Sequence, residues 1–231
     1  MATHLDLEEQ EQLDAVKQFW TRHGNLISGL LVAGLLAYAG WTGWNWWQQE
    51  QATQAGAMFD ELDKAAEAAD ADKVAQVFGD LKARYPKTAF AQQGGLLAAK
   101  TQVAKGQTEA ALATLEWVGA NATEVEYQTI ARLRLAGLLL DQKKYDEALK
   151  QLDAATAPGF EALVADRRGD VQMAQGKTDA AKASYTQAWQ AMDPKVDYRR
   201  LIEAKLAALG AAVLITAETA SQASAPTGAT K

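Results

Sequence analysis

The sequence predicts an all-α protein, with a single N-terminal transmembrane helix followed by a tetratricopeptide-like helical-hairpin solenoid. Three observations predict this class: a long uncharged apolar run near the amino end, an alanine- and leucine-rich remainder without sustained apolar/polar alternation, and a recurring hairpin-sized pattern. The chain has 231 residues, 48% of them hydrophobic and 23% charged, so it is long enough to bury a sizeable core. Its formal net charge of −6 argues against a nucleic-acid binder, which carries a basic footprint. Cysteine is absent, which excludes a disulfide scaffold, a thiol nucleophile and a zinc ribbon.

The apolar run comes first. Between Arg22 and Glu50 there is no Asp, Glu, Lys or Arg, and Leu26 to Trp47 is almost wholly apolar or small. As a helix that stretch is about 33 Å long, enough to cross a hydrocarbon core of about 30 Å. Tryptophan favours the headgroup layer, so Trp41, Trp44, Trp46 and Trp47 form a belt at one end, with Phe19 and Trp20 at the other. A cleaved signal peptide is the competing reading, because Ala55-Gly56-Ala57 has small residues around a would-be cleavage site. The run is too long for such a peptide, its leader is acidic (Asp6, Glu8, Glu9, Glu11, Asp14), and bulky tryptophans precede the site.

Lys17 and Arg22 flank the run on its amino side, whereas the first basic residue on the other side is Lys64. This bias places the amino end in the cytoplasm and the remainder across the membrane, which in a bacterium is the periplasm. The expected divisions are 1–24 as a cytoplasmic helix, 25–47 as a single-pass inner-membrane helix, 48–215 as a periplasmic domain and 216–231 as a disordered tail. Within the span, Gly29, Ala33, Ala37 and Gly40 make a stripe of small residues that suits close packing of another transmembrane helix. The leader places Leu13, Val16 and Trp20 on one face.

Three later segments align without gaps: Lys105–Leu115, Gln142–Leu152 and Gln175–Tyr185. Each runs from a polar turn through an acid to an alanine (Ala111, Ala148, Ala181) and then a large side chain four residues on (Leu115, Leu152, Tyr185). Upstream, Ala99, Ala136 and Gly169 keep a constant distance from those alanines, and the register steps lie near the 34-residue tetratricopeptide period. Antiparallel helices approach closely only where facing side chains are small, so these six residues are the expected hairpin contacts. The large residues are expected to fill the space between hairpins. One further helical pair is expected at 51–69 and 72–85, ended by Pro86, and a capping helix at Tyr198–Ile215.

Chemistry is sparse. Both histidines, His4 and His23, precede the span, so the region after it has no histidine or cysteine for nucleophilic or metal chemistry. No catalytic residue, cofactor or metal ligand is expected. Gly176-Lys177-Thr178 resembles the end of a phosphate loop, but Val171 stands where its first glycine belongs, so it reads as a hairpin turn. Asn121-Ala122-Thr123 is a glycosylation pattern read as an inter-repeat loop, and acid pairs such as Asp146/Glu147 read as solvated faces.

The chain resembles the YfgM-like family of ancillary Sec translocon subunits. The carrying residues are Asp14-Ala15-Val16-Lys17-Gln18-Phe19-Trp20, Gly40-Trp41, and Gly159–Asp170 with its Ala165-Asp166-Arg167-Arg168-Gly169-Asp170 core. The last is the most specific, because a tetratricopeptide pattern does not demand it. The resemblance implies a non-enzymatic, membrane-tethered protein that associates with the SecYEG translocon and the membrane-anchored parvulin-type chaperone PpiD. It also implies a role in passing exported client proteins to periplasmic chaperones. A regulator of envelope stress acting through the cytoplasmic leader is the alternative, and an envelope assembly factor would suit the same scaffold.

Stacked hairpins expose a concave face. By repeat register, Leu96, Lys100, Val103, Leu133, Leu140, Asp166, Asp170 and Met173 are expected to line it as a partner groove. Leu133 and Asp166 stand where a carboxylate-clamp domain needs cationic or amide groups, which argues against recognition of a carboxyl terminus.

Overall fold

The computed structural model describes residues 7–211, with side chains from Gln12 onward, and every element in that range is helical. The leader, the apolar run and the first helix of the hairpin region are not separate elements. They form one helix, α1 (Leu7–Glu67), because no proline or turn interrupts the sequence until Ala68. The chain divides into two compact units, one ending at Thr53 and one starting at Gln54. In the first, the large apolar side chains from Leu26 to Trp47 stay exposed, apart from the half-buried Ile27, and none of the window apolar enough to cross a membrane is buried.

In the second unit the end of α1 pairs with α2 (Ala71–Arg84). Three hairpins follow: α3 (Ala89–Ala104) with α4 (Thr108–Asn121), α5 (Val125–Asp141) with α6 (Tyr145–Asp153), and α7 (Glu161–Ala174) with α8 (Thr178–Ala191). The last described helix is α9 (Tyr198–Ala208). Local chemistry sets the boundaries. Asp70 caps α2 by accepting the Lys73 N–H at 3.0 Å, and Thr88 caps α3 by accepting that of Ala91 at 3.3 Å. Pro86 lies between them and keeps Tyr85 out of the helix.

The hairpin turns share one geometry. Gly106, Lys143 and Gly176 occupy equivalent positions with φ of 73°, 62° and 75°. In each, the next residue's N–H reaches back to a carbonyl of the preceding helix: Gln107 to Gln102 at 2.8 Å, Lys144 to Leu139 at 2.9 Å, and Lys177 to Gln172 at 2.9 Å. This closure satisfies carbonyls that the helix end would otherwise leave open. Gly176-Lys177-Thr178 is therefore a turn. The same closure ends α9, where Gly210 takes φ 72° and Ala211 donates to Leu206 at 3.0 Å. The helix expected to continue to Ile215 thus stops at Ala208 within the described residues, and the 216–231 tail lies outside them.

Small residues let the helices meet. Ala111, Ala136, Ala148 and Ala181 are fully buried, as nearly is Ala99. Gly169 lets the two helices of its hairpin meet: a Cβ there would lie 2.4 Å from Tyr185 Cε1, so the tyrosine ring lies on it. Tyr185 also shares a buried cluster with Ile202 and Leu206 of α9. A second close approach, missed in the repeat pattern, is Gly94-Gly95. A Cβ on Gly95 would sit 2.4 Å from Val118 Cγ2, and one on Gly94 2.8 Å from Leu81 Cδ2. The largest apolar cluster runs through α3 to α7 on Leu115, Val118, Leu135 and Leu152.

Candidate partner-binding groove

Helices α3, α5 and α7, the first of each hairpin, lie side by side. Their shared face holds a groove of about 400 Å³. Ala99, Lys100 and Val103 come from α3; Arg134, Gly137, Leu138 and Asp141 from α5; and Arg167 from α7. The α5 residues follow helical spacing, which turns one stripe of the helix to the groove while Leu135 and Leu139 point into the core. Val103 is 42% exposed, large for an aliphatic side chain in a packed helix pair.

Lys100 is exposed and has no ion-pair partner among the described residues. Arg134 Nη1 donates to the Leu96 carbonyl at 3.2 Å, which steers the guanidinium without neutralising it. Gly137 lacks a side chain where the Arg167 guanidinium crosses α5; a Cβ there would meet Arg167 Cζ at 3.8 Å. Arg167 Nη1 lies 3.5 Å from Asp170 Oδ2, a long ion pair.

Behind Arg167, Asp166 is 1% exposed and accepts Lys205 Nζ on both oxygens at 2.8 Å, and the Tyr198 hydroxyl at 2.8 Å. Asp170 accepts Lys205 Nζ at 2.7 Å and the Tyr185 hydroxyl at 2.9 Å. Burial first, then the hydrogen bonds to these carboxylates, pushes both phenols above their ordinary range.

Of the residues expected to form the groove, Lys100 and Val103 line it. Leu96 is buried in the core, and Leu133 and Leu140 pack partly buried against the same cluster. Asp166 faces α9 rather than the groove, and Asp170 supports Arg167 from behind. Met173 is exposed but is not part of the lining. On α5 and α7 the lining sits one residue later than the repeat register predicts: Arg134 stands in place of Leu133, and Arg167 in place of Asp166. Leu133 and Asp166 lie outside the groove, so they do not bear against carboxylate recognition there. Burial demand from both neighbouring hairpins decides the register, and one helix's pattern does not contain it.

The specific segment at 165–170 becomes intelligible residue by residue. Asp166 and Asp170 anchor Lys205, and Gly169 admits Tyr185. Arg168 Nη2 pairs with Asp153 at 2.8 Å, which leaves Arg167 as the member presented to the groove. At the glycosylation pattern, Asn121 ends α4 and Thr123 Oγ1 accepts Gln92 Nε2 at 2.6 Å, a packing role. In the first unit, a Cβ added at Gly29 or Gly40 would touch nothing within 4 Å, so that part of the small-residue stripe is unoccupied within the chain.

The family described as a tetratricopeptide repeat-like domain matches residues 17–211. The chain is 34% identical, over 90% of its length and 100% of the relative's, to the ancillary SecYEG translocon subunit of Neisseria gonorrhoeae. It is 31% identical to the protein of the same name from Haemophilus influenzae, covering 80% of this chain and 90% of that one. The Escherichia coli protein of that name is 29% identical, with coverage of 79% and 86%. No solved structure gives a significant match. A long apolar helix, hairpins closed by one repeated turn, and a relationship extending through both parts make this chain a member of the YfgM-like family.

Proposed function

We propose that this protein is a membrane-anchored, non-catalytic adaptor of the Sec translocon. Leu26 to Trp47 spans the inner membrane, residues 1–24 face the cytoplasm, and the hairpin domain stands in the periplasm. There its concave face receives newly exported segments or the folding factors that take them over, including a PpiD-type chaperone. One observation carries this reading: the full-length relationship to a protein named as an ancillary SecYEG translocon subunit, which takes in both the exposed apolar helix and the groove-bearing hairpins.

The physics supports the pairing. A tether holds the groove at high effective concentration beside the site of chain emergence, so weak contacts suffice. The lysine and arginine bias across the span supports the orientation. The lack of histidine and cysteine beyond the span supports an adaptor over an enzyme.

The test is photocrosslinking in living cells from a reactive residue placed at Val103 and, separately, at Leu31, with partners identified by mass. Channel subunits from position 31, and folding factors or exported chains from position 103, are the expected products. Recovery of neither overturns the reading. Protease added to sealed spheroplasts should digest the hairpin domain; full protection would reverse the orientation.

A further inference from the structure

We infer that the groove across α3, α5 and α7 binds an extended acidic peptide segment, with Lys100, Arg134 and Arg167 meeting its carboxylates and Val103 and Leu138 its apolar parts. The inference rests on the adaptor reading for its setting and names the chemistry of what the groove takes.

The chain has 29 acidic against 23 basic residues, so its cations have carboxylates in excess to pair with. Several elsewhere in the domain do so: Lys73 meets Glu61 at 2.6 Å, Arg168 meets Asp153 at 2.8 Å, and Lys205 meets Asp166 and Asp170. The groove gathers cations with little such pairing. Three cations from three successive repeats converge on one lining with a single carboxylate, Asp141, at the end of α5. Lys100 meets no acid, and Arg134 meets only a backbone carbonyl. Asp170 takes part of the Arg167 charge, but at 3.5 Å and while also holding Lys205.

Shape narrows the partner further. A concavity of about 400 Å³ crossing three helices accepts a few residues of extended chain, whereas a flat anionic bilayer cannot reach its floor. The negative charge of the whole chain repels a polyanion as large as nucleic acid. Cations spaced along successive repeats suit several carboxylates along a peptide better than one terminal carboxylate. Pairs of this exposure are individually weak and screened by salt, so binding should be modest and salt-sensitive.

The experiment uses the full chain in detergent micelles and fluorescence anisotropy with three labelled ten-residue peptides. One alternates Glu and Ala with an amidated end, one replaces every Glu by Gln, and one is the Gln peptide with a free carboxyl end. The amidated Glu peptide should bind, and its Kd should rise about tenfold with Lys100→Glu and again with higher salt. Arg134→Gln should weaken it, while Arg134→Lys should retain most of the binding. Lys105→Glu, outside the lining, should leave it unchanged, and unchanged thermal melting shows that each variant is folded.

Equal binding of the Glu and Gln peptides, or indifference to Lys100→Glu, overturns the inference. So does binding of the free-carboxyl Gln peptide alone, which would move recognition to a chain terminus, and so does binding of none. If position 103 still crosslinks exported chains in cells while the Glu peptide fails, only the acidic preference falls. If that crosslink is also absent, the adaptor reading falls with it.

Discussion

The middle hairpins and the terminal repeat solve the same packing problem with different chemistry. From α3 to α6, adjacent helices are joined by buried alanine and leucine, and the boundary cation Arg132 serves backbone carbonyls, donating to Ala154 and, at 2.9 Å, to Gly119. Between α7 and α9 an ion-paired network is added to the apolar contacts of the buried Ile202 and Leu206. Asp166, Asp170, Lys205, Tyr198 and Tyr185 form one network, and Trp189 on α8 donates to Glu203 at 3.0 Å under the Arg199 guanidinium. A middle repeat is held from both sides, so nondirectional apolar contact fixes it. Helix α9 is the last described element and packs mainly on α8, and directional bonds supply the register that a second neighbour would otherwise impose.

That contrast can be broken most forcibly on its apolar side. Leu135 is fully buried at the centre of the largest cluster, so Leu135→Ala should cost about 2–5 kcal/mol by removing transfer energy and leaving a cavity. Urea unfolding followed by circular dichroism measures it. A loss under 1 kcal/mol would mean the middle hairpins repack freely.

On the ionic side, Asp166→Ala should cost at most about 3 kcal/mol, the lower end for breaking a buried pair, because Lys205 keeps Asp170 at 2.7 Å and 22% of its side chain exposed. The informative variant is Asp166→Leu with Lys205→Met. It should recover most of the stability while loosening the position of α9, seen as faster amide exchange in Tyr198–Ala208. Recovery without faster exchange would remove the registering role assigned to the network.

The next effect is pH dependence at the same junction. The folded-state pKa values of Tyr185 and Tyr198 are raised, so their contribution is fully present below the ordinary phenol value near 10. Above it, the unfolded chain releases protons that the folded chain keeps, and stability falls with rising pH. The slope reaches at most about 1.4 kcal/mol per pH unit for each phenol. Unfolding between pH 9 and 11 should show the fall, and Tyr185→Phe with Tyr198→Phe should flatten it. An unchanged slope in that double variant would assign the alkaline loss to the lysines.

Much of this contrast was legible in the sequence, but unevenly. The hairpins were, because Ala111, Ala148 and Ala181 sit in polar-turn repeats whose physics admits one pairing. The apolar run was, because nothing charged interrupts it from His23 to Gln49. The groove was not. Leu133 and Arg134 are adjacent on one helix, and choosing which faces out requires knowing where α3 and α7 press on α5. The Asp166 network was hidden for another reason: its partners, Tyr198 and Lys205, lie more than thirty residues away, and single-sequence spacing holds no sign of such pairs.

The smallest effect separates repeat geometry from repeat chemistry. Gly106 and Gly176 close their turns with positive φ at no steric cost, whereas Lys143 adopts φ 62° at the equivalent position with a Cβ. The left-handed conformation costs a non-glycine residue about 1–2 kcal/mol, while glycine would lose about 0.5–1 kcal/mol through the greater freedom of its unfolded chain. Lys143 is exposed and forms no ion pair among the described residues, so little else changes on substitution. Lys143→Gly should therefore stabilise the hairpin domain by about 0.5 kcal/mol, and Gly106→Ala should destabilise it by about 1 kcal/mol. Opposite signs at equivalent positions, read by urea unfolding, are the expected signature. If both variants destabilise, the lysine side chain contributes more to the α5–α6 turn than its exposure suggests, and the middle hairpins are less purely apolar than the comparison holds.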